Sequence, residues 1–309
     1  MRAAVIDGYN KIPTVTDVPD PGKVPGTCRI AVSSAGLQPT DLLRVQGIYK
    51  QVTFPYIIGG EGVGLLESGE RVYFGHSIPS SGALCQVTLV PEDEVWPIDD
   101  HVDEDQAIAL AIAGTGALIP LEEAGIRPGE RVLILGASGP VGQIASLAAR
   151  RLGAGTVIGA ARTRSRLDRL RERGFIDEVV QLGQGDDDAA LKAAAGPGYD
   201  VVFDGLFGPP AESAMRATAL GARMMSIGTR AARNMTLTLR ELRGRSHIGV
   251  DTGDRAPAVR RAAFERLLTF ARQDRWVIDI MNFDLEDIPR AWAAQQGSPG
   301  AKIVVKVAR

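Results

Sequence analysis

Two rhythms of apolar residues divide the chain. Up to about residue 110 the apolar runs are short and punctuated by glycine and proline, at residues 2–6, 28–32, 62–66, 71–74 and 83–90. Short runs between turn residues predict the strands of a β-rich domain. Helical spacing follows over 103–113 and 116–124, with Asp103 or Asp105 placed to cap the first of these helices. From Arg131 onward, short continuous apolar runs alternate with helical or polar stretches. The runs lie at 132–135, 156–161, 178–182, 200–206 and 222–227, and a helical pattern covers 143–152. That alternation predicts βαβ units and a buried parallel sheet. The tail carries an amphipathic helix near 256–273, an apolar run at 277–283, a helix near 285–294 and a last strand at 302–307. A β-rich head, an α/β middle and a mixed tail suggest that the tail returns to the head domain.

Composition narrows the class. The 309 residues suffice for two domains, and 45% hydrophobic with 23% charged residues describes an ordinary folded chain. A formal net charge of -2 gives no general attraction to nucleic acid or to an anionic membrane. Two cysteines, Cys28 and Cys85, exclude a disulfide scaffold, though not a single bridge. The N-terminus lacks a basic stretch followed by an apolar one, and no run approaches the ~20 apolar residues of a membrane span. A reduced, cytoplasmic protein is expected.

The sharpest local signal is Gly136-Ala137-Ser138-Gly139-Pro140-Val141-Gly142, which follows a predicted buried strand and opens a predicted helix. A pyrophosphate approaches closely only where side chains are absent, and it then meets the free N–H groups of the helix N-terminus. Gly139 and Gly142 fit the second and third glycine roles, with Ala137 in the first. Pro140 suits a first helical position. The plainer alternative is a tight turn that binds nothing. Arg162 lies twenty residues after Gly142, near where an acidic residue bonds the ribose of NAD. An arginine there, with Arg164 and Arg166 close by, favours the 2′-phosphate of NADPH. Otherwise it is a solvated basic helix face.

The head contains Gly36-Leu-Gln-Pro-Thr-Asp-Leu-Leu-Arg-Val-Gln-Gly-Ile-Tyr49 and Pro55-Tyr-Ile-Ile-Gly-Gly-Glu-Gly-Val-Gly64, and the tail contains Ala301-Lys-Ile-Val-Val. Together with the glycine loop, these resemble the medium-chain dehydrogenase/reductase superfamily over nearly the whole chain. The resemblance implies an α/β protein: a GroES-like β-rich substrate domain from residues 1–115 and 255–309, with a Rossmann doubly wound parallel sheet inserted over 116–254. Within the superfamily the chain looks like the zinc-free quinone oxidoreductase and 2-enoyl thioester reductase branch. Gln38 and Gly60 stand where zinc-bearing members have a Cys and a His ligand, so no metal is expected.

The resemblance also suggests roles. Tyr49 matches the active-site tyrosine of enoyl thioester reductases and is the candidate catalytic residue, the alternative being an aromatic that only covers the cleft. Candidate cofactor-binding residues are Thr115, Ser138, Gly139, Pro140, Val141, Gly142, Arg162, Thr163, Arg164 and Gly228. The implied activity is NADPH-dependent reduction of an activated C=C bond in an α,β-unsaturated carbonyl compound or enoyl thioester. Quinone reduction is the alternative within the class; an NADPH-binding sensor or structural protein is the alternative outside it. The expected partners are a small-molecule substrate and a second copy in a homodimer, paired through the far end of the Rossmann sheet near 235–239 and 246–250. Neither nucleic acid nor membrane is an expected partner.

Overall fold

The computed structural model describes residues 1–49, 51–78 and 81–307. It divides into two units, Met1–Ile112 with Val277–Arg309, and Ala113–Trp276.

The first unit is built on a seven-stranded sheet. Its order is Ile280–Asp284, Lys302–Lys306, Thr27–Leu37, Glu61–Leu66, Arg71–Gly75 and Val95–Pro97, with Val87–Pro91 also paired to the long 27–37 strand. A second sheet joins Thr14–Asp17, Arg2–Ile6 and Tyr56–Ile57. In the long strand Ile30 and Val32 are buried on either side of exposed Ala31, the alternation of a half-buried strand. From Ser34 onward both faces are covered, because helix Glu104–Leu110 lies over that end. The Asp103 carboxylate caps this helix by accepting from the Gln106 N–H at 2.9 Å. Leu285, Ile288, Trp292, Ile303 and Val305 share one core with Ile30, Val32 and Leu37, so the tail and the head complete the same unit.

The second unit holds a six-stranded parallel sheet, ordered Glu178–Gln181, Thr156–Ala161, Arg131–Leu135, Tyr199–Asp204, Thr218–Ser226 and Ser246–Gly249. Counted along the chain the order is 3-2-1-4-5-6, the doubly wound dinucleotide-binding topology. Helices Pro140–Arg151, Arg164–Glu172, Asp187–Ala195 and Pro209–Arg216 connect the strands. The expected α/β fold is thus present, a β-rich unit and a doubly wound parallel sheet.

Three details differ from the sequence expectations. Helix Pro257–Asp274 belongs to the second unit, where Arg266 pairs with Glu122 at 2.7 Å and Leu267 lies against Gly114. Amphipathic spacing shows that such a helix buries one face, not which core receives it. The apolar run at 235–239 forms no strand; Thr238 instead caps the short helix Leu239–Leu242. The strand expected over 83–90 is confined to Val87–Pro91, because the backbone of Ala83, Leu84 and Gln86 hydrogen-bonds instead to Gly59, Ile58, Ala4 and Arg2. The stretch Glu104–Ala124 is long and apolar enough to cross a membrane, but its most apolar window is 83% buried and the helix breaks at Ala111.

Candidate active site

In the second unit, strand Arg131–Leu135 ends at Gly136, whose φ of +85° suits glycine and strains other residues. The tight turn therefore lies at Gly136, one position before Ala137. A Cβ on Gly142 would stand 2.3 Å from the Gly136 carbonyl oxygen, so only glycine lets helix Pro140–Arg151 pack onto the strand end. A Cβ on Gly139 would meet nothing nearer than 3.6 Å, which leaves that backbone open to close approach. Gly139 is the N-cap, with no side chain bonded to the first helical turn, and Pro140 starts the helix. Ser138 and Val141 flank this opening half-buried.

Strand Thr156–Ala161, the next along the chain, leads into Arg162, Thr163 and Arg164, all exposed. Arg164 is engaged by Asp168, its Nε donating to both carboxylate oxygens at 3.0 Å. The Arg162 guanidinium has no hydrogen-bond or ion-pair partner among the described residues. The turn thus presents an uncommitted planar cation where the ribose phosphate of a dinucleotide lies in this topology. Gly228 packs backbone to backbone, since a Cβ there would stand 2.9 Å from the Gly205 oxygen. Thr115 is buried in helix Ile112–Ala124.

Sequence reasoning missed a buried polar chain at the ends of the last three strands. One oxygen of Asp204 accepts from the Leu206 and Phe207 N–H groups at 2.9 Å, and the other accepts from the Ser226 hydroxyl at 2.6 Å. Ser226 Oγ in turn lies 2.9 Å from His247 Nε2. Burial pushes the His247 pKa down, and the Asp204 charge pulls it partly back. The available signal was a carboxylate ending an otherwise apolar strand. The open backbone at Gly139, the helix N-terminus and Arg162 fit a nicotinamide dinucleotide.

The first unit gathers a different set. Glu61 is fully buried and all its acceptor capacity is engaged. Oε1 takes the Gln38 amide at 3.0 Å and the Lys302 ammonium; Oε2 takes the Tyr73 hydroxyl at 2.8 Å and the Ile112 N–H at 3.3 Å. Lys302 is only 5% exposed, and a charge this deep is tolerated only when paired and hydrogen-bonded. Gly36 makes the pair possible: a Cβ there would stand 2.8 Å from Glu61 Oε1 and 3.0 Å from Lys302 Cε.

Next to this pair, Gln38 starts helix Pro39–Val45 and donates its N–H to Asp41 at 2.8 Å. Asp41 is fully buried and accepts from Arg44 at 3.1 Å. Burial raises the Asp41 pKa, against the lowering influence of Arg44. The Arg44 guanidinium carbon lies 5.5 Å from the centroid of the Tyr49 ring. It also bonds the Tyr56 hydroxyl, whose pKa burial pushes up to about 12. Gly60 adjoins it, since a Cβ there would meet Arg44 Nη1 at 3.8 Å.

These residues do not fit a zinc ion. The Gln38 amide is committed to Glu61, Gly60 offers no ligand, and the Arg44 guanidinium stands beside Gly60. Cys85 is a buried thiol whose pKa is pushed up to about 12. Among the described residues no group of three or more His, Cys, Asp or Glu side chains is arranged to hold a metal.

Comparison with known proteins places this geometry. Residues 140–271 match the family described as zinc-binding dehydrogenase. A quinone oxidoreductase from Thermus thermophilus, also solved in complex with NADPH, superposes with a TM-score of 0.80 at 26% identity over 99% of this chain and 100% of that one. These matches support the resemblance of the chain to the medium-chain dehydrogenase/reductase superfamily. Another similar member is the acryloyl-coenzyme A reductase of Metallosphaera sedula, 25% identical over 262 residues that make up 74% of this chain and 76% of that protein. The polyketide synthase Pks15/1 of Mycobacterium marinum is 30% identical over 211 residues, 66% of this chain but 10% of the synthase, so the chain spans a small part of that relative. The likeness supports an oxidoreductase with a nicotinamide cofactor, and the enzymes it resembles act on small molecules.

Proposed function

We propose that this medium-chain reductase uses NADPH, without zinc, to reduce the activated C=C bond of an α,β-unsaturated carbonyl compound or enoyl thioester. The observation that carries the reading is the pair of residues at the superfamily's metal-ligand positions, an amide hydrogen-bonded to Glu61 and a glycine beside Arg44, which itself lies against the Tyr49 ring. Alcohol oxidation in this superfamily relies on a Lewis acid, whereas conjugate reduction needs a hydride and an acid.

NADPH, when bound, supplies the hydride. Gly139, Gly142 and the N-terminus of helix Pro140–Arg151 would hold the pyrophosphate, with Ser138 and Val141 beside it. Arg162 would take the 2′-phosphate, while Thr163 and Arg164 shape that turn; Thr115 and Gly228 complete the set. When hydride reaches the β-carbon, the π pair moves onto the carbonyl oxygen and the α-carbon then takes a proton. A phenol is protonated at neutral pH, so Tyr49 would hydrogen-bond the enolate oxygen or deliver that proton. Dissociation constants for NADPH and NADH, with NADPH oxidation against a panel of enones, enoyl thioesters and quinones, test the reading. It requires tighter NADPH binding and turnover of enones or enoyl thioesters.

The full-length likeness to a quinone oxidoreductase supports a second reading, in which a quinone is the acceptor and Tyr49 only stacks on it. A homodimer belongs to the same proposal. Strand Ser246–Gly249 ends the six-stranded sheet with one edge unpaired and Ile248 44% exposed, a surface suited to pairing with a second copy. Sedimentation at micromolar concentration should show a dimer.

A further inference from the structure

We propose that Arg44 is an oxyanion-binding cation that contacts the acceptor oxygen of the substrate, in the open space in front of Gly60. The inference deepens the enone and enoyl thioester reading above and rests on it. Its grounds are geometric. Gly60 and Arg44 border one small opening: among the described residues other than its chain neighbours, a Cβ on Gly60 would meet only Arg44 Nη1 within 4 Å, at 3.8 Å. Both residues are half-buried, and the Arg44 side chain is 20% exposed, so the guanidinium is screened from bulk water yet reachable.

Its direction is fixed from two sides. Asp41, buried and itself held by the Gln38 N–H, anchors Nη1 at 3.1 Å, and the Tyr49 ring lies 5.5 Å from the guanidinium carbon. A planar guanidinium carries five N–H donors, so with Asp41 and the Tyr56 hydroxyl engaged others remain for a further oxygen. Such preorganised positive charge acts where negative charge develops, and it acts more strongly in a site poor in water. One of the two missing ligand positions, Gly60, thus borders a fixed cation. The Tyr49 hydroxyl and Arg44 would share the enolate oxygen, the phenol as proton source and the guanidinium as permanent charge.

The test uses the full-length protein and two readouts. The first is turnover of 2-cyclohexen-1-one with NADPH. The second is binding of crotonate, a carboxylate whose oxygens imitate the enolate charge, measured by calorimetry without turnover. Arg44→Leu should lower kcat by ~100- to 1000-fold, the range for losing one oxyanion donor, and should abolish crotonate binding. NADPH affinity should not change. Arg44→Lys keeps the charge without the fork and should recover part of both signals. Because Arg44→Leu leaves the Asp41 charge buried alone, the double variant Asp41→Asn/Arg44→Leu, which removes both charges, should show the same losses with its fold intact by circular dichroism. Gly60→Leu, which fills the opening, should block crotonate while leaving NADPH binding alone. Wild-type turnover and crotonate binding that survive in Arg44→Leu or the double variant overturn the proposal and leave the reductase reading standing. A wild type that reduces no enone defeats the reductase reading; crotonate binding lost with Arg44 would then still support the anion site, and absent wild-type binding would overturn it.

Discussion

The two units hold their polar groups by opposite means. In the second unit the glycine loop works through missing side chains: Gly136 turns, Gly139 exposes backbone and Gly142 lets a helix press onto a strand. Where a side chain does act there, as with Asp204, it fastens neighbouring N–H groups. In the first unit buried side chains satisfy one another, Lys302 and Gln38 from distant segments on Glu61 and Arg44 on Asp41 within one helix. The second unit should therefore fail when an atom is added, and the first when one is taken away.

The largest expected effect is in the first unit. Lys302→Met strands a buried carboxylate and should cost about 3–5 kcal/mol of stability in denaturant titration. Adding Glu61→Gln should recover most of that loss, because the charge disappears from both sides. Loss of stability in the double variant equal to the single would break the comparison. Next comes Tyr49→Phe, expected to lower kcat for enones by roughly 10- to 1000-fold with NADPH affinity nearly unchanged. Quinone reduction should suffer less, and equal small effects on every acceptor would leave Tyr49 only covering the site.

Gly142→Ala sharpens the contrast from the other side. Helix propensity favours alanine by about 1 kcal/mol, but the new Cβ would sit 2.3 Å from a backbone oxygen that no flexible side chain can relieve. Overpacking of about 1–3 kcal/mol should win, and cofactor affinity should fall with it. Arg162→Ala should leave stability unchanged and weaken NADPH by roughly tenfold or more, as for one charge-assisted hydrogen bond, with little change for NADH; equal losses would remove the 2′-phosphate role.

The smallest effect is linked to pH. The folded chain resists protonating His247, because burial lowers its pKa. As pH falls below the ordinary histidine value of ~6.5, the unfolded chain binds that proton first and stability drops. His247→Asn should flatten this part of the stability profile, and an unchanged slope would show that another group sets it.

The same difference explains what could be read from the residues. The glycine loop is local: seven consecutive positions between a strand and a helix carry it, and the strands at 131–135 and 156–161 follow from continuous apolar runs. The Glu61 network is not local. Lys302 lies 241 positions from Glu61, and only the sheet brings them together, through strand 302–306 beside 27–37 and 27–37 beside 61–66. A lone lysine ahead of Ile303-Val304-Val305 and a lone glutamate among glycines were the visible traces, but no spacing joins them. Arg44 escaped notice for a related reason: within its helix it reads as a solvated charge, and only the fold places it beside Gly60. Helix Pro257–Asp274 was legible as a helix, whereas its partner, Gly114 with Glu122, lies far back along the chain.

The proposal to be tested is that protein groups, not a metal, carry the substrate chemistry of an NADPH-dependent reduction. The direct measurement is the initial rate of NADPH oxidation with an enone or enoyl thioester, taken before and after exhaustive dialysis against a chelator, with metal content determined on both samples. The account predicts reduced product and the same rate in both, at metal far below one equivalent. A rate that disappears on dialysis and returns with zinc would contradict it.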